Sequence, residues 1–196
     1  MLAAAKRMTA TVWAYFDGAT PRSAIAASVA FIIVSNQPFY PFYLYLLLGG
    51  RAWPALLTWL SAPLFAAVPR VARAGEARGG ALLVTAGMAN TTLCTVAMGP
   101  GSGVELFYLP CLVLALLLFT GRQRALAAAA TVFATGTAMA AVRLAGAEGL
   151  VPITAEELAT LRRINAFSVC GLLVVLAYLS RRLWWRNALV TPSDGR

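Results

Sequence analysis

The sequence predicts an all-α polytopic membrane protein with six transmembrane helices and both termini in the cytoplasm, and three observations predict it. Hydrophobic residues make up 60% of the 196-residue chain against 12% charged, a composition that a soluble domain could not fold without exposing large apolar faces. The apolar residues fall in stretches that suit the roughly 17–25 residues a helix needs to cross a hydrocarbon core about 30 Å thick. The sixteen Lys and Arg residues sit in the short breaks between these stretches, mostly in every second break.

The basic residues set the orientation. With both termini inside, Lys6, Arg7, Arg22, Arg70, Arg73, Arg78, Arg122, Arg124, Arg181, Arg182, Arg186 and Arg196 lie inside, and only Arg51, Arg143, Arg162 and Arg163 lie outside. Twelve against four is a positive-inside bias. An odd number of spans would put the Arg181-Arg182-Arg186 cluster on the wrong side, so the bias supports an even count. The net charge of +9 does not read as nucleic-acid binding, because the basic residues flank apolar spans, where they face anionic head groups. The partners implied are membrane lipids, and the place implied is the inner membrane, crossed many times.

Residues 1–22 form a cytoplasmic or interfacial segment. Lys6 and Arg7 beside Met8, Val12, Trp13, Tyr15 and Phe16 suit a short helix lying on the inner leaflet. Arg22 precedes the apolar run Ala24 to Val34, yet no small-residue cleavage site follows it. Arg22 therefore reads as an inside anchor and not as part of a signal peptide.

The six-helix domain covers residues 23–186. The first span runs from about Ala24 to Leu48 and is either continuous or broken at Pro38 and Pro41. The second runs from Pro54 to Pro69 and is short, so that it either thins the bilayer locally or lengthens into its loops, as does the fourth; the third runs from Gly80 to Met98. The fourth, Val104 to Thr120, is also short, and the fifth runs from Ala125 to Leu144. The sixth covers Ile164 to Ser180 with an extension to Trp185. Its start is the best specified in the chain: Thr154-Ala155-Glu156-Glu157 fits a capping box, with Ile153 and Leu158 as a hydrophobic staple and Pro152 blocking extension backward. The helix therefore begins about two turns outside the apolar core. A short tail, residues 187–196, follows.

Catalytic chemistry is not evident in this pattern. Histidine is absent, and an ionisable group at bilayer centre costs at least about 2.5 kcal/mol, so a proton or ion path would show as buried charges. Of the carboxylates only Glu105 lies within an assigned span, at its outer end, and Arg143 closes the fifth span at that same side, which argues against a proton-coupled pump. Glu105 reads either as a helix-start carboxylate or as a partner of Arg162 or Arg163 in an outward-facing ligand site, with the aromatics Phe107 and Tyr108 taking an apolar tail. Arg162 and Arg163 break the positive-inside pattern and need a phosphate, a carboxylate or an anionic ligand.

Cys94, Cys111 and Cys170 fall at similar depths and read as small packing residues, free of disulfides. Without CxxC spacing or histidine, no metal site and no cofactor are expected. Asn36, Asn90 and Asn165 read as interhelical polar glue. Gly99, Gly101 and Gly103 make a tight outer turn that lacks the strand and lysine of a phosphate loop.

The six-span layout, the turn Gly99-Pro100-Gly101-Ser102-Gly103-Val104-Glu105-Leu106-Phe107 leading into the fourth span, and the capped helix with Asn165 near the start of the last span resemble the six-helix membrane domains that precede the catalytic domains of some bacterial class III adenylate cyclases and sensor kinases. The likeness covers roughly residues 20–186. It implies a sensory or regulatory membrane module that receives a periplasmic or lipid-phase ligand and has no catalytic activity of its own. Ten residues follow Arg186, too few for a cyclase or kinase domain, so the expectation is either a free-standing relative acting through a cytoplasmic or membrane partner protein, or a likeness of architecture alone. The alternatives are a small transporter or channel assembled as a homo-oligomer, and a lipid-modifying membrane enzyme.

Overall fold

The computed structural model describes residues 20–144, 146 and 148–190, with side chains as far as Arg181. The helix expected over Met1–Phe16, the side chains of Arg182 and Arg186, and Arg196 lie outside the described residues. All the regular structure described is helical. Four helical stretches are long and apolar enough to cross a membrane, and Val104–Leu118 is a shorter apolar one.

Helix α1, Pro21–Asn36, starts at Thr20, whose side chain accepts from the Ser23 amide at 3.2 Å, with Pro21 at the first helical position, where no N–H is needed. It ends at the Gln37-Pro38 turn, and α2, Phe39–Leu48, continues to Gly49. The first apolar stretch is thus broken where Pro38 removes a backbone donor. At Gly49 the chain adopts φ +59, which favours glycine, and reverses direction.

The return leg lengthens into its loops, beyond the expected start at Pro54. It is helical from Gly49 to Ala74, first as a 3₁₀ helix, Gly49–Ser61, then as α3, Ala62–Ala74. At about 2.0 Å and 1.5 Å rise per residue the two pieces together reach roughly 45 Å, so this leg is not short. The 3₁₀ form suits the sequence. Ala52, Ala55, Thr58 and Ser61 recur every third residue and are all buried, because side chains three apart eclipse on a 3₁₀ helix. Trp53, Leu56 and Trp59 recur likewise on the exposed face. The small stripe lets this helix pack closely on its neighbours.

Two contacts fix this hairpin, one at its open end and one midway: the Ser23 hydroxyl donates to Ala72 O at 3.1 Å, and the Gln37 amide donates to Thr58 O at 2.9 Å. Helix α4, Glu76–Met98, turns back after Gly75 so tightly that a Cβ on Gly79 would lie 2.5 Å from Ala72 Cα. Glu76 ties this corner to the start of α1, accepting from the Thr20 hydroxyl and facing Arg22 at 3.5 Å.

A second 3₁₀ turn, Val104–Phe107, leads into α5, Tyr108–Leu118, which runs antiparallel to α4: Tyr108 meets Thr92 across 2.8 Å, and Leu118 lies against Gly80. Helix α6, Gly121–Leu144, packs mainly on α5 and buries only Thr131 and Val142 along its length. Helix α7, Ala155–Val190, has the expected capping box: Glu157 accepts from the Thr154 amide at 2.9 Å, and the Thr154 hydroxyl accepts from the Glu157 amide at 3.3 Å.

The bundle therefore has two ends. One holds the turns at Gly75 and Gly121 and carries Arg22, Arg70, Arg73, Arg78, Arg122, Arg124 and Arg181; the other holds the turns at Gly49 and Gly101 and carries Arg51, Arg143, Arg162 and Arg163. Each end has its own apolar core. Ile25, Val29, Phe65, Val68, Leu83 and Leu118 close the first, and Leu44, Leu48, Met98, Val104 and Leu161 close the second.

At the second end Arg51 forms a forked pair with Glu157, 2.5 and 3.1 Å, and also donates to Pro152 O at 2.8 Å. This clasp joins the Gly49 hairpin to the cap of α7, beyond the apolar stretches. The Arg51 side chain and the capping amide of Thr154 hold the Glu157 carboxyl down to about 2. Its folded-state value lies below the unfolded one, so the clasp contributes fully above about pH 4.5 and is lost as pH falls toward 2. Arg51→Gln is expected to lower the thermal midpoint slightly at pH 7 and by less below pH 2, where Glu157 is protonated and only the contact with Pro152 O is left to lose. Equal shifts at both pH values would show that the clasp is not what Arg51 supplies.

Candidate functional site

Between the two apolar cores lies a polar layer, and its origin is the proline pair of the first stretch. In a continuous helix the Gln37 carbonyl would accept from residue 41, but Pro41 has no N–H. The Trp59 indole fills that role, donating to Gln37 O at 3.1 Å. The break also turns the Gln37 side chain inward, where its amide nitrogen donates to Ser61 Oγ at 2.7 Å. Ser61 in turn lies 2.8 Å from Asn90 Oδ1 on α4. The Ser61 hydroxyl has one proton and two acceptors, Thr58 O at 2.7 Å and Asn90 Oδ1 at 2.8 Å; given to Asn90, it completes a relay from Gln37 N–H through Ser61 to Asn90.

That relay leaves polar capacity unspent. Gln37 Oε1 is buried without a hydrogen-bond partner, whereas the buried Tyr40 hydroxyl and Asn165 side chain face each other. Asn90 Oδ1 is taken by Ser61 and by the Cys94 thiol at 3.8 Å, and its Nδ2 makes none of the described hydrogen bonds. Uncompensated polar groups are costly inside a bilayer core, where no water stands in for a partner.

Beside this layer is a cavity of about 410 Å³, within the size range of small-molecule sites. Ile32 and Asn36 line it from α1, Asn90 from α4, Cys111 from α5, and Phe167 and Gly171 from α7. Gln37 and Tyr40 border it, and among the described residues no Asp, Glu, Lys or Arg does. Its walls on the α1 and α7 side are thin. Ile32, Phe167 and Gly171 are exposed on the bundle surface, and a Cβ on Gly171 would meet nothing within 4 Å.

Asn36 and Asn90, expected as interhelical glue, thus stand at the cavity. Asn165 is buried elsewhere in the layer, its Nδ2 donating to Ser102 O at 3.0 Å. Phe107 lines the cavity, whereas Tyr108 is held by Thr92. The expected cluster of Glu105 with Arg162 and Arg163 is not formed. The Glu105 carboxylate accepts from the amides of Gly101 and Gly103, 3.2 and 3.1 Å, and among the described residues it has no ion pair. The physical reason is the turn itself: Gly101 and Gly103, at φ +93 and +84, bring two amides to a carboxylate only two to four residues on. Arg162 backs onto Gly103 through its Cα, and both arginines are exposed.

Cys94 and Cys111 are buried at the cavity and Cys170 is exposed; all three are free. No group of three His, Cys, Asp or Glu that could hold a metal occurs among the described residues. Gln37, the pivot of the layer, was not evident from the sequence; the signal was its place four residues before Pro41.

The family model that matches the chain is MASE7, over residues 14–184. No curated protein and no solved structure matches it.

Proposed function

Because the chain belongs to the MASE7 family of membrane-associated sensor domains, we propose that it is a six-span inner-membrane sensor with both termini in the cytoplasm, without catalytic activity of its own, that signals to a partner protein through α7. The observation that carries this reading is the cavity: it is closed toward both ends by apolar cores and is thin-walled only toward α1 and α7. Such a site suits a molecule arriving sideways from the lipid better than a path across the membrane, which weighs against the transporter alternative. Helix α7 both walls the cavity and runs beyond the core to Val190, about 54 Å at 1.5 Å per residue, so its position couples occupancy to the end that carries Arg181.

The test is a fusion of the full chain to a reporter adenylate cyclase catalytic domain placed after α7. Gly171→Leu, which fills the cavity from α7, is expected to change catalytic output several-fold. Gly136→Leu, on α6, where a Cβ also meets nothing within 4 Å, is expected to leave it unchanged. Identical output from all three proteins would contradict the sensor reading.

The topology has its own test. Reporter fusions after Gly75 and after Arg196 are expected to report cytoplasm, and one near Gly146 the periplasm. A periplasmic carboxyl terminus would exclude six spans.

A further inference from the structure

We infer that the occupant of the cavity is an uncharged amphiphile from the lipid phase, whose polar end brings a hydrogen-bond acceptor to Asn90 and a donor to Gln37. This deepens the sensor reading and rests on it. Three observations lead here. Among the described residues no charged side chain borders the cavity, so a carboxylate or phosphate head would be buried without a counter-ion, deep between two apolar cores, at a cost its contacts could not offset. Gln37 Oε1 is a buried acceptor without a donor, and Asn90 Nδ2 is a donor without a described acceptor. The remaining wall is apolar: Phe107, Leu114 and Val175 offer a face for an alkyl chain.

The shared chemistry is therefore a carbonyl or hydroxyl oxygen together with an O–H or N–H, as in a long-chain amide, alcohol or hydroxyketone, at the head of a chain. Entry lies between α1 and α7. There Gly171 leaves open space: a Cβ added at that position would meet nothing within 4 Å.

Three probes with the same diazirine-bearing alkyl chain separate the possibilities: a primary amide, its methyl ester and the carboxylate. They are added to full-length protein in vesicles of phosphatidylethanolamine and phosphatidylglycerol at pH 8, irradiated, and the modified residues are mapped by mass spectrometry. The amide is expected to label the segments carrying Phe107, Leu114 and Val175, and to be displaced by unlabelled amide. The carboxylate should label them about tenfold less or worse, equivalent to about 1.4 kcal/mol. The ester, which accepts but cannot donate, should fall between. Gly171→Leu should abolish the labelling. Asn90→Leu, of similar volume, should lower amide labelling to the level of the ester or below it.

Carboxylate labelling equal to the amide's would overturn the neutral-ligand assignment and leave the sensor reading in place. Labelling that is absent for all probes, or that persists in Gly171→Leu, would overturn the cavity as the binding site. The fusion output judges the sensor reading separately.

Discussion

Gly79→Ala is expected to lose most of the folded protein, although it adds a single methyl group. A Cβ at this position would sit 2.5 Å from Ala72 Cα and 2.9 Å from Ala72 N. These are backbone atoms of α3, which cannot swing aside as a flexible side chain can. The corner they occupy is also the one tied by Glu76 to Thr20 and Arg22. Relief therefore requires α3 and α4 to part, which exposes Phe65, Val68 and Leu83 of the first core. Overpacking a core costs typically 1–3 kcal/mol, and a backbone clash belongs at or above the upper end, about 3 kcal/mol. The measurement is the thermal midpoint of detergent-solubilised protein followed by size-exclusion chromatography. Gly136→Ala serves as the reference, because there the new methyl meets nothing, and helix propensity favours it by up to about 1 kcal/mol. If Gly79→Ala matched Gly136→Ala, the close α3–α4 approach would be refuted.

Phe65→Ala is the second large effect. Phe65 is 1% exposed, the bulkiest fully buried side chain among the described residues, and it stands where the first core meets the cavity. Its removal forfeits about 3–5 kcal/mol through lost contacts and an enlarged void. Because the void joins an existing cavity, the site does not collapse to recover part of the loss. Phe167→Ala, by contrast, truncates a ring that is 83% exposed and should move stability by no more than about 0.5 kcal/mol. Comparing the two in the same detergent controls for aromatic removal as such. A Phe65→Ala loss no larger than that of Phe167→Ala would mean that the first core is not packed as described.

Much of the fold was legible in the sequence because local chemistry decided it. The capping box at Thr154 and Glu157 and the turn at Gly99 to Gly103 depend on residues a few positions apart, and both formed; of the two forms that the sequence leaves open for the first stretch, the one broken at Pro38 is found. The second span lengthens into its loops, and its start at Gly49 rather than Pro54 has a definable reason. Gly49, Gly50 and Arg51 read as loop, and the recurrence of Ala52, Ala55, Thr58 and Ser61 has a period of three, which a search for 3.6 passes over.

The site was less legible. Asn36 and Asn90 could be singled out as polar residues in apolar stretches, but Gln37 sits beside a proline and looked like part of the break. The Arg51–Glu157 clasp joins residues 106 apart, beyond any local pattern. Glu105 and Arg162 failed as a pair because backbone amides two and four residues away reached the carboxylate first.

The central claim is that the polar layer and its cavity lie near mid-bilayer and face lipid sideways. Trp59 reports on it directly, since its indole donates to Gln37 O while its ring is on the exposed face of the 3₁₀ helix. The measurement is fluorescence quenching by brominated phospholipids of a protein in which Trp13, Trp53, Trp184 and Trp185 are replaced by Phe, leaving Trp59 alone. Bromines near the ends of the acyl chains should quench Trp59 most strongly and those beside the glycerol least. Strongest quenching by the shallow bromines, or by aqueous iodide, would place the layer at the membrane surface and contradict the account.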